Sequence, residues 1–167
     1  IESWKNTTKS KGYTINYQIC KGGKERFDSV KNGLSFLDTN IIMVHDGVRP
    51  FVNNNTLDRC LEKAREKGSA IPVIKPVESM RQIINVDESN AVNREDFRLV
   101  QTPQCFKQEW IKKAYIQDFT PFFTDDASVV EKAGYPIFLV DGSRENIKIT
   151  TPFDLQLSDF IIKFQTN

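Results

Sequence analysis

A chain of 167 residues, 39% hydrophobic and 27% charged, has the length and balance of one globular domain with a sizeable core, and two domains would stretch it. The formal net charge of +1, with both signs interspersed, excludes a long-range field for nucleic acid or an anionic membrane surface, so any phosphate recognition must be local. Three widely spaced cysteines, Cys20, Cys60 and Cys105, fit neither a disulfide framework nor a zinc site and point to a reducing cytoplasm, and no apolar run approaches the roughly 20 residues of a membrane span.

The chain begins with Ile1 rather than Met, and residues 1–13 are polar with little pattern, as if the chain were joined partway through. Tyr13, Ile15, Tyr17 and Ile19 alternate with polar residues and predict a strand, closed by Gly22-Gly23. Asp28 and Ser29 are good N-cap types ahead of Val30, Leu34 and Leu37, the stripe of a short helix. Ile41 to Val44 is apolar on both faces, as in a sheet covered by helices on both sides, and it runs into His45-Asp46. Beyond Pro50, Asn54 or Asn55 can cap a helix carrying Leu57, Leu61 and Ala64 that stops at Gly68, and residues 70–74 predict another strand.

Residues 76–99 break this rhythm. They are polar, carry Ile83, Ile84 and Val86, show no helical stripe, and predict a protruding β-arm. Residues 107–117 and 125–133 read as helices, the second with Thr124 at its cap and Gly134 at its end, and residues 137–140 and 147–149 read as short strands. Thr151-Pro152-Phe153-Asp154 then supplies a cap, a first-turn proline and a capping-box acid for a closing helix. Strands alternating with helices predict an α/β fold, a mostly parallel twisted sheet flanked by helices in a single domain over 1–167. Ligands of such sheets lie beyond the carboxyl ends of the strands, which selects the loops 22–29, 45–50, 101–104 and 141–148.

Within those loops, His45-Asp46-Gly47-Val48-Arg49-Pro50 places an acid and a base within four residues. Asp46 can bind hydroxyls or a magnesium ion and Arg49 can fork onto phosphate oxygens, though an Asp–Arg pair can equally serve only to tie down its loop. His45 is the only histidine and reads as a hydrogen-bonded structural residue rather than a proton-transfer group. Gln101-Thr102-Pro103-Gln104 holds Thr102 extended before a proline and so aims its hydroxyl. Residues 141–148 end on Lys148, whose ammonium a short strand would hold in place.

The ordered set formed by Gly22-Gly23, Glu25-Arg26, Ser29-Val30, Val44-His45-Asp46, Arg49-Pro50, Thr102-Pro103-Gln104, Thr124-Asp125-Asp126-Ala127 and Asn146-Ile147-Lys148-Ile149-Thr150 resembles the 2-C-methyl-D-erythritol 4-phosphate cytidylyltransferases of non-mevalonate isoprenoid synthesis. The resemblance covers nearly all of the chain from Gly22 onward. It implies a Rossmann-like α/β domain whose β-arm clasps a second subunit, and a reaction in which methylerythritol phosphate attacks the α-phosphorus of CTP, with magnesium assisting and pyrophosphate leaving. No covalent enzyme intermediate is implied, so catalysis would rest on positioning and charge stabilisation.

Carried over position by position, Gly23 and Ser29 would face the cytosine, and Asp46, Arg49, Thr102 and Lys148 would form the methylerythritol-phosphate site with Lys148 on the phosphate. Ser79 and Arg94, at the two ends of the arm, would reach into the partner's site. Glu78-Ser79-Met80-Arg81 stands where the family has Asp-Thr, one residue, then a base. Nothing here matches the family's opening glycine-rich loop and its basic residues, so the expectation is that these 167 residues alone do not turn over. A ribitol-5-phosphate cytidylyltransferase of the same fold and a non-catalytic dimerisation module are the alternatives.

Overall fold

The computed structural model describes residues 2–13 and 16–165. In chain order the elements are α1 (Glu2–Ser10), α2 (Arg26–Leu34), β1 (Ile41–Val44), α3 (Asn54–Lys67), β2 (Ser69–Ile74), β3 (Met80–Ile83), β4 (Ser89–Val92), a 3-10 turn (Arg94–Asp96), β5 (Leu99–Val100), β6 (Gln104–Lys107), α4 (Gln108–Ala114), α5 (Asp126–Lys132), β7 (Leu139–Asp141) and α6 (Pro152–Gln165).

The architecture is the expected α/β one, a sheet with helices on both faces. One face packs Ile42, Ile71, Val73 and Phe106 against Phe27 and Leu34 of α2, Ile111 and Ala114 of α4, and Val129 and Val130 of α5. On the other face Ala70 and Cys105 meet Cys60 and Ala64 of α3. Burial on both faces is why the strand sequences are apolar without alternation. Strand direction is more mixed than the sequence suggested. β6 lies between β1 and β2 and runs antiparallel to each, so β1, β2 and β7 share one direction, but β2 and β7 form the parallel neighbouring pair.

β5 and β6 pair with β2 along one edge with an interruption. Ser69 faces Phe106 and Val73 faces Val100, so two extra residues bulge from the β5–β6 side. Gln101, Thr102 and Pro103 occupy that bulge, with a cis Thr102–Pro103 peptide, and bulges of this kind re-aim side chains at sheet ends.

Helix ends follow capping chemistry, shifted by one to four residues from the sequence reading. Glu25, not Asp28 or Ser29, caps α2, with Asp28 as the third-position acid of a capping box. Asn53 caps α3 through its Oδ1 to Thr56 N at 2.9 Å, and Gly68 ends it at φ 101° with the Trp110 ring over its α-carbon. Asp125, not Thr124, caps α5, whereas α6 has the expected Thr151–Asp154 box.

Among the described residues, two short strands expected from the sequence do not form. Residues 13 and 16–19 are irregular, Ile15 lies outside the described residues, and Tyr17 instead covers α1, its ring edge-on to Trp4 and its hydroxyl 2.8 Å from Thr8 Oγ1. Residues 147–149 are held by a backbone bond from Ile149 N to Val48 O at 2.9 Å rather than by a ladder. Alternation marks a half-covered surface, and here a helix and a loop, not a neighbouring strand, provide the cover. Within 76–99, β3 and β4 make a two-stranded antiparallel sheet of their own, from Met80 opposite Val92 to Ile83 opposite Ser89. Ile83 and Val86 near its tip are 72% and 99% exposed.

Candidate active site

The loops selected from the sequence converge on one cleft of about 250 Å³, whose walls include Arg26, Asp46, Arg49, Thr102 and Lys148. It lies past the carboxyl ends of β1 and β7 and the amino end of β6. Asp46 follows β1 by two residues, and the bulge before β6 brings Thr102 to it: Asp46 N donates to Thr102 Oγ1 at 3.1 Å. The same hydroxyl lies 2.9 Å from Nδ1 of His45, and Nε2 of His45 lies 2.9 Å from the Arg49 carbonyl. Both ring nitrogens are therefore occupied by the loop, which is the structural role read from the sequence.

Asp46 is the centre of the charges. Its Oδ2 is 3.1 Å from Lys148 Nζ and 3.5 Å from Arg49 Nε, and its Oδ1 is 3.4 Å from Arg26. Burial alone would raise its carboxyl, but the Lys148 hydrogen bond and the charges of Lys148, Arg26 and Arg49 outweigh that and hold it below the ordinary 3.8. Arg49 is 12% exposed, donates through NH1 to Asn146 O at 2.8 Å, and keeps a buried Nε–H without a hydrogen-bond partner. Arg26 is matched by Asp126, whereas Lys148 and Arg49 share the single carboxylate of Asp46, and the buried Arg49 Nε–H without a hydrogen bond beside it suits an anionic ligand.

Neutral side chains lock the loops to one another. Gln101 Nε2 donates to Ser143 O at 2.7 Å while its Oε1 accepts from Ser143 N at 3.2 Å, and Asn146 Nδ2 donates to Thr102 O at 2.8 Å. A Cβ on Gly142 would lie 2.3 Å from Gln101 Oε1, so a side chain there would push the Gln101 amide off Ser143. Gln104, fully buried, donates to Asp125 Oδ2 and accepts from Ala127 N, both at 2.8 Å, tying the start of α5 to the sheet. Lys148 thus owes its place to this lattice of amides rather than to a strand.

Gly23 and Ser29 sit together outside the cleft walls, Gly23 N donating to Ser29 Oγ at 3.0 Å. A Cβ on Gly23 would stand 2.1 Å from Asp28 Cβ, so the turn closes onto α2 only with glycine there. Ser79 and Arg94 are exposed at the base of the hairpin and do not line this chain's cleft, with Arg94 donating to Val77 O. Both oxygens of Asp46, the residue considered for magnesium, face cations here, Oδ1 toward Arg26 and Oδ2 toward Lys148.

Three participants were not assigned from the sequence. Arg26 forks onto the fully buried Asp126, NH1 to Oδ1 at 3.1 Å and NH2 to Oδ2 at 2.7 Å, and Tyr115 donates its hydroxyl to Asp126 Oδ1 at 2.5 Å. Burial and the adjacent Asp126 push the Tyr115 phenol up. The signal for them was the presence of Glu25-Arg26 and Asp125-Asp126 among the motifs, but no local pattern pairs residues a hundred positions apart.

A helix-covered sheet with a charged cleft at its strand ends defines an α/β protein of the Rossmann-like class, whose ligands bind beyond the strand ends. The sequence profile described as 2-C-methyl-D-erythritol 4-phosphate cytidylyltransferase matches residues 6–164, and the chain belongs to that family. The enzyme of that name from Bacteroides fragilis is 48% identical over 160 residues, spanning 95% of this chain and 73% of the relative. Among solved structures, the 2-C-methyl-D-erythritol 4-phosphate cytidylyltransferase of Thermus thermophilus superposes with a TM-score of 0.77 at 34% identity, covering 86% of this chain and 72% of that one. The 4-diphosphocytidyl-2C-methyl-D-erythritol synthase of Anaerococcus prevotii gives 0.85 at 26% identity, covering 97% and 76%.

Proposed function

We propose that this chain carries the acceptor side of a cytidylyl transfer in which the phosphate of 2-C-methyl-D-erythritol 4-phosphate attacks the α-phosphorus of CTP and pyrophosphate leaves. The observation that carries the reading is the pairing of Lys148 and Arg49 with the one carboxylate of Asp46 in a cleft the size of a small sugar phosphate. Lys148, 46% exposed, holds the attacking phosphate by exchanging Asp46 for it, while the unpartnered Nε–H of Arg49 takes a ligand oxygen. Asp46 accepts from an acceptor hydroxyl. Gly23 and Ser29 present a backbone turn and a hydroxyl to the cytosine. Oriented, desolvated reactants with fixed cations need no covalent intermediate.

The hairpin within 76–99 is proposed as the arm of a cytoplasmic homodimer that brings Ser79 and Arg94 to the partner's cleft. Its exposed Ile83 and Val86 supply apolar contact area for a second copy. The test is pyrophosphate release by the protein expressed from its complete reading frame, with CTP and either methylerythritol phosphate or ribitol 5-phosphate. Release with the first is expected. Release with ribitol phosphate alone, or with neither, overturns the reading.

A further inference from the structure

We infer that Tyr115, Asp126 and Arg26 form a positioning chain running from the core to the cleft, which sets the orientation of Asp46 and, through it, the place of Lys148. The identity of the ligand served rests on the function proposed above.

The chain starts in a rigid place. Tyr115 is buried and its ring stacks on Phe27 at 4.7 Å, and its hydroxyl meets Oδ1 of Asp126 at 2.5 Å. Asp126 is wholly inaccessible, and Arg26 takes both of its oxygens at once, so the guanidinium is fixed in plane as well as in distance. An ion pair whose acid is fully buried is a poor way to gain stability, since desolvation of Asp126 offsets much of the attraction and an apolar residue would fill its space as well. What an apolar filling could not do is reach outward. NH2 of Arg26 is shared between Oδ2 of Asp126 and Oδ1 of Asp46, the latter at 3.4 Å.

Each oxygen of Asp46 therefore has its own side. Oδ1 is turned to Arg26, leaving Oδ2 for Lys148 at 3.1 Å and Arg49 at 3.5 Å. Without Arg26 the carboxylate is free to turn both oxygens to Lys148 and Arg49 and draw the ammonium away from the phosphate it should hold. Arg26 already has its charge matched by Asp126, so it adds little attraction of its own for a phosphate. Its contribution is the direction in which Asp46, and hence Lys148, points.

The experiment uses Arg26→Met, Arg26→Lys and Asp126→Asn in the protein expressed from its complete reading frame. Arg26→Met is expected to raise KM for the acceptor phosphate about tenfold while KM for CTP stays within about twofold, and Arg26→Lys, which keeps the charge but cannot fork, is expected to recover only part of this. A second readout needs no substrate: the rate at which Lys148 is acylated at fixed pH, read by mass spectrometry. Arg26→Met removes a neighbouring cation and should slow acylation about twofold, whereas Asp126→Asn removes an anion and should speed it by about as much. Arg26→Lys keeps the charge, so slowed acylation in that variant as well reports the orientation of Asp46, and acylation at the wild-type rate in it reports charge alone.

Equal shifts in the two KM values, or Lys148 acylation unchanged in both variants, would overturn the inference. If the charge variants do not fold, Tyr115→Phe deletes only the hydroxyl, and an unchanged acceptor KM in that folded variant has the same force. Should the wild-type protein not use methylerythritol phosphate at all, the proposed function fails while the acylation rates still decide the positioning chain.

Discussion

The hydroxyl of Thr102 and the imidazole of His45 form a directed pair, Oγ1 to Nδ1 at 2.9 Å, although 57 residues separate them. The Arg49 carbonyl opposite Nε2 can only accept, so Nε2 carries a proton, and in the tautomer with that single proton Nδ1 accepts from Thr102, which accepts in turn from Asp46 N–H. The network assigns this tautomer.

Thr102→Val keeps the shape and strands two partners, the Asp46 amide and Nδ1 of His45. A loss of about 1 kcal/mol in urea unfolding is expected, the net value of a part-buried hydrogen bond whose partners water can still partly reach. Thr102→Ser should retain most of the stability. Equal stability of the valine and wild-type proteins would show that the hydroxyl does not organise the loop.

Lys148→Ala should reduce turnover by about tenfold or more at subsaturating acceptor phosphate, the cost of one charge-assisted contact, and leave the unfolding midpoint nearly unchanged, since a half-exposed lysine pair adds little stability. Asp46 behaves differently with pH. Its folded carboxyl lies below the ordinary 3.8, so the stability it contributes is fully present above that value and is lost as pH falls through the depressed folded one. The stability difference between Asp46→Asn and wild type should therefore be flat through neutral pH and shrink only on strong acidification. A difference that already changes between neutrality and mild acid would contradict the ion-pair assignment.

Gly23→Ala places a methyl 2.1 Å from Asp28 Cβ, a contact that backbone movement alone can relieve. The turn must open and release the bond from Gly23 N to Ser29 Oγ. KM for CTP should rise several-fold, on the order of 1 kcal/mol for one lost hydrogen bond, with KM for the acceptor unmoved. Steady-state kinetics with each substrate varied in turn separates the two.

If the hairpin delivers Arg94 to the partner's site, Arg94→Ala and Lys148→Ala proteins complement each other. A mixed dimer then has one site lacking both residues and one site intact, so random mixing should restore about a quarter of wild-type turnover from two weak parents. No restoration after mixing and subunit exchange would place Arg94 in its own subunit's chemistry or in none.

Much of this molecule was legible from local chemistry. The apolar run Ile41 to Val44, the glycine stop at Gly68 and the Thr151-Pro152-Phe153-Asp154 start of α6 each depend on a few neighbouring residues, and each formed where expected. The rule that ligands gather past strand ends selected the loops that line the cleft. Cap positions moved by a few residues, as at Asn53 and Asp125, because several adjacent side chains could accept the same amide and packing chose among them.

The ordered motifs by themselves determined the family and brought Asp46, Arg49, Thr102 and Lys148 forward as a set, since residue type and order survive in one dimension. Tertiary structure alone decided what the four do to one another. The two-residue bulge that swings Thr102 onto His45, the amides of Gln101 and Asn146 that hold the 141–148 loop, and the fork from Arg26 to Asp126 are all contacts across 40 to 100 positions. Such pairs leave no periodicity, because their geometry is set by where sheet and helices pack and not by spacing along the chain.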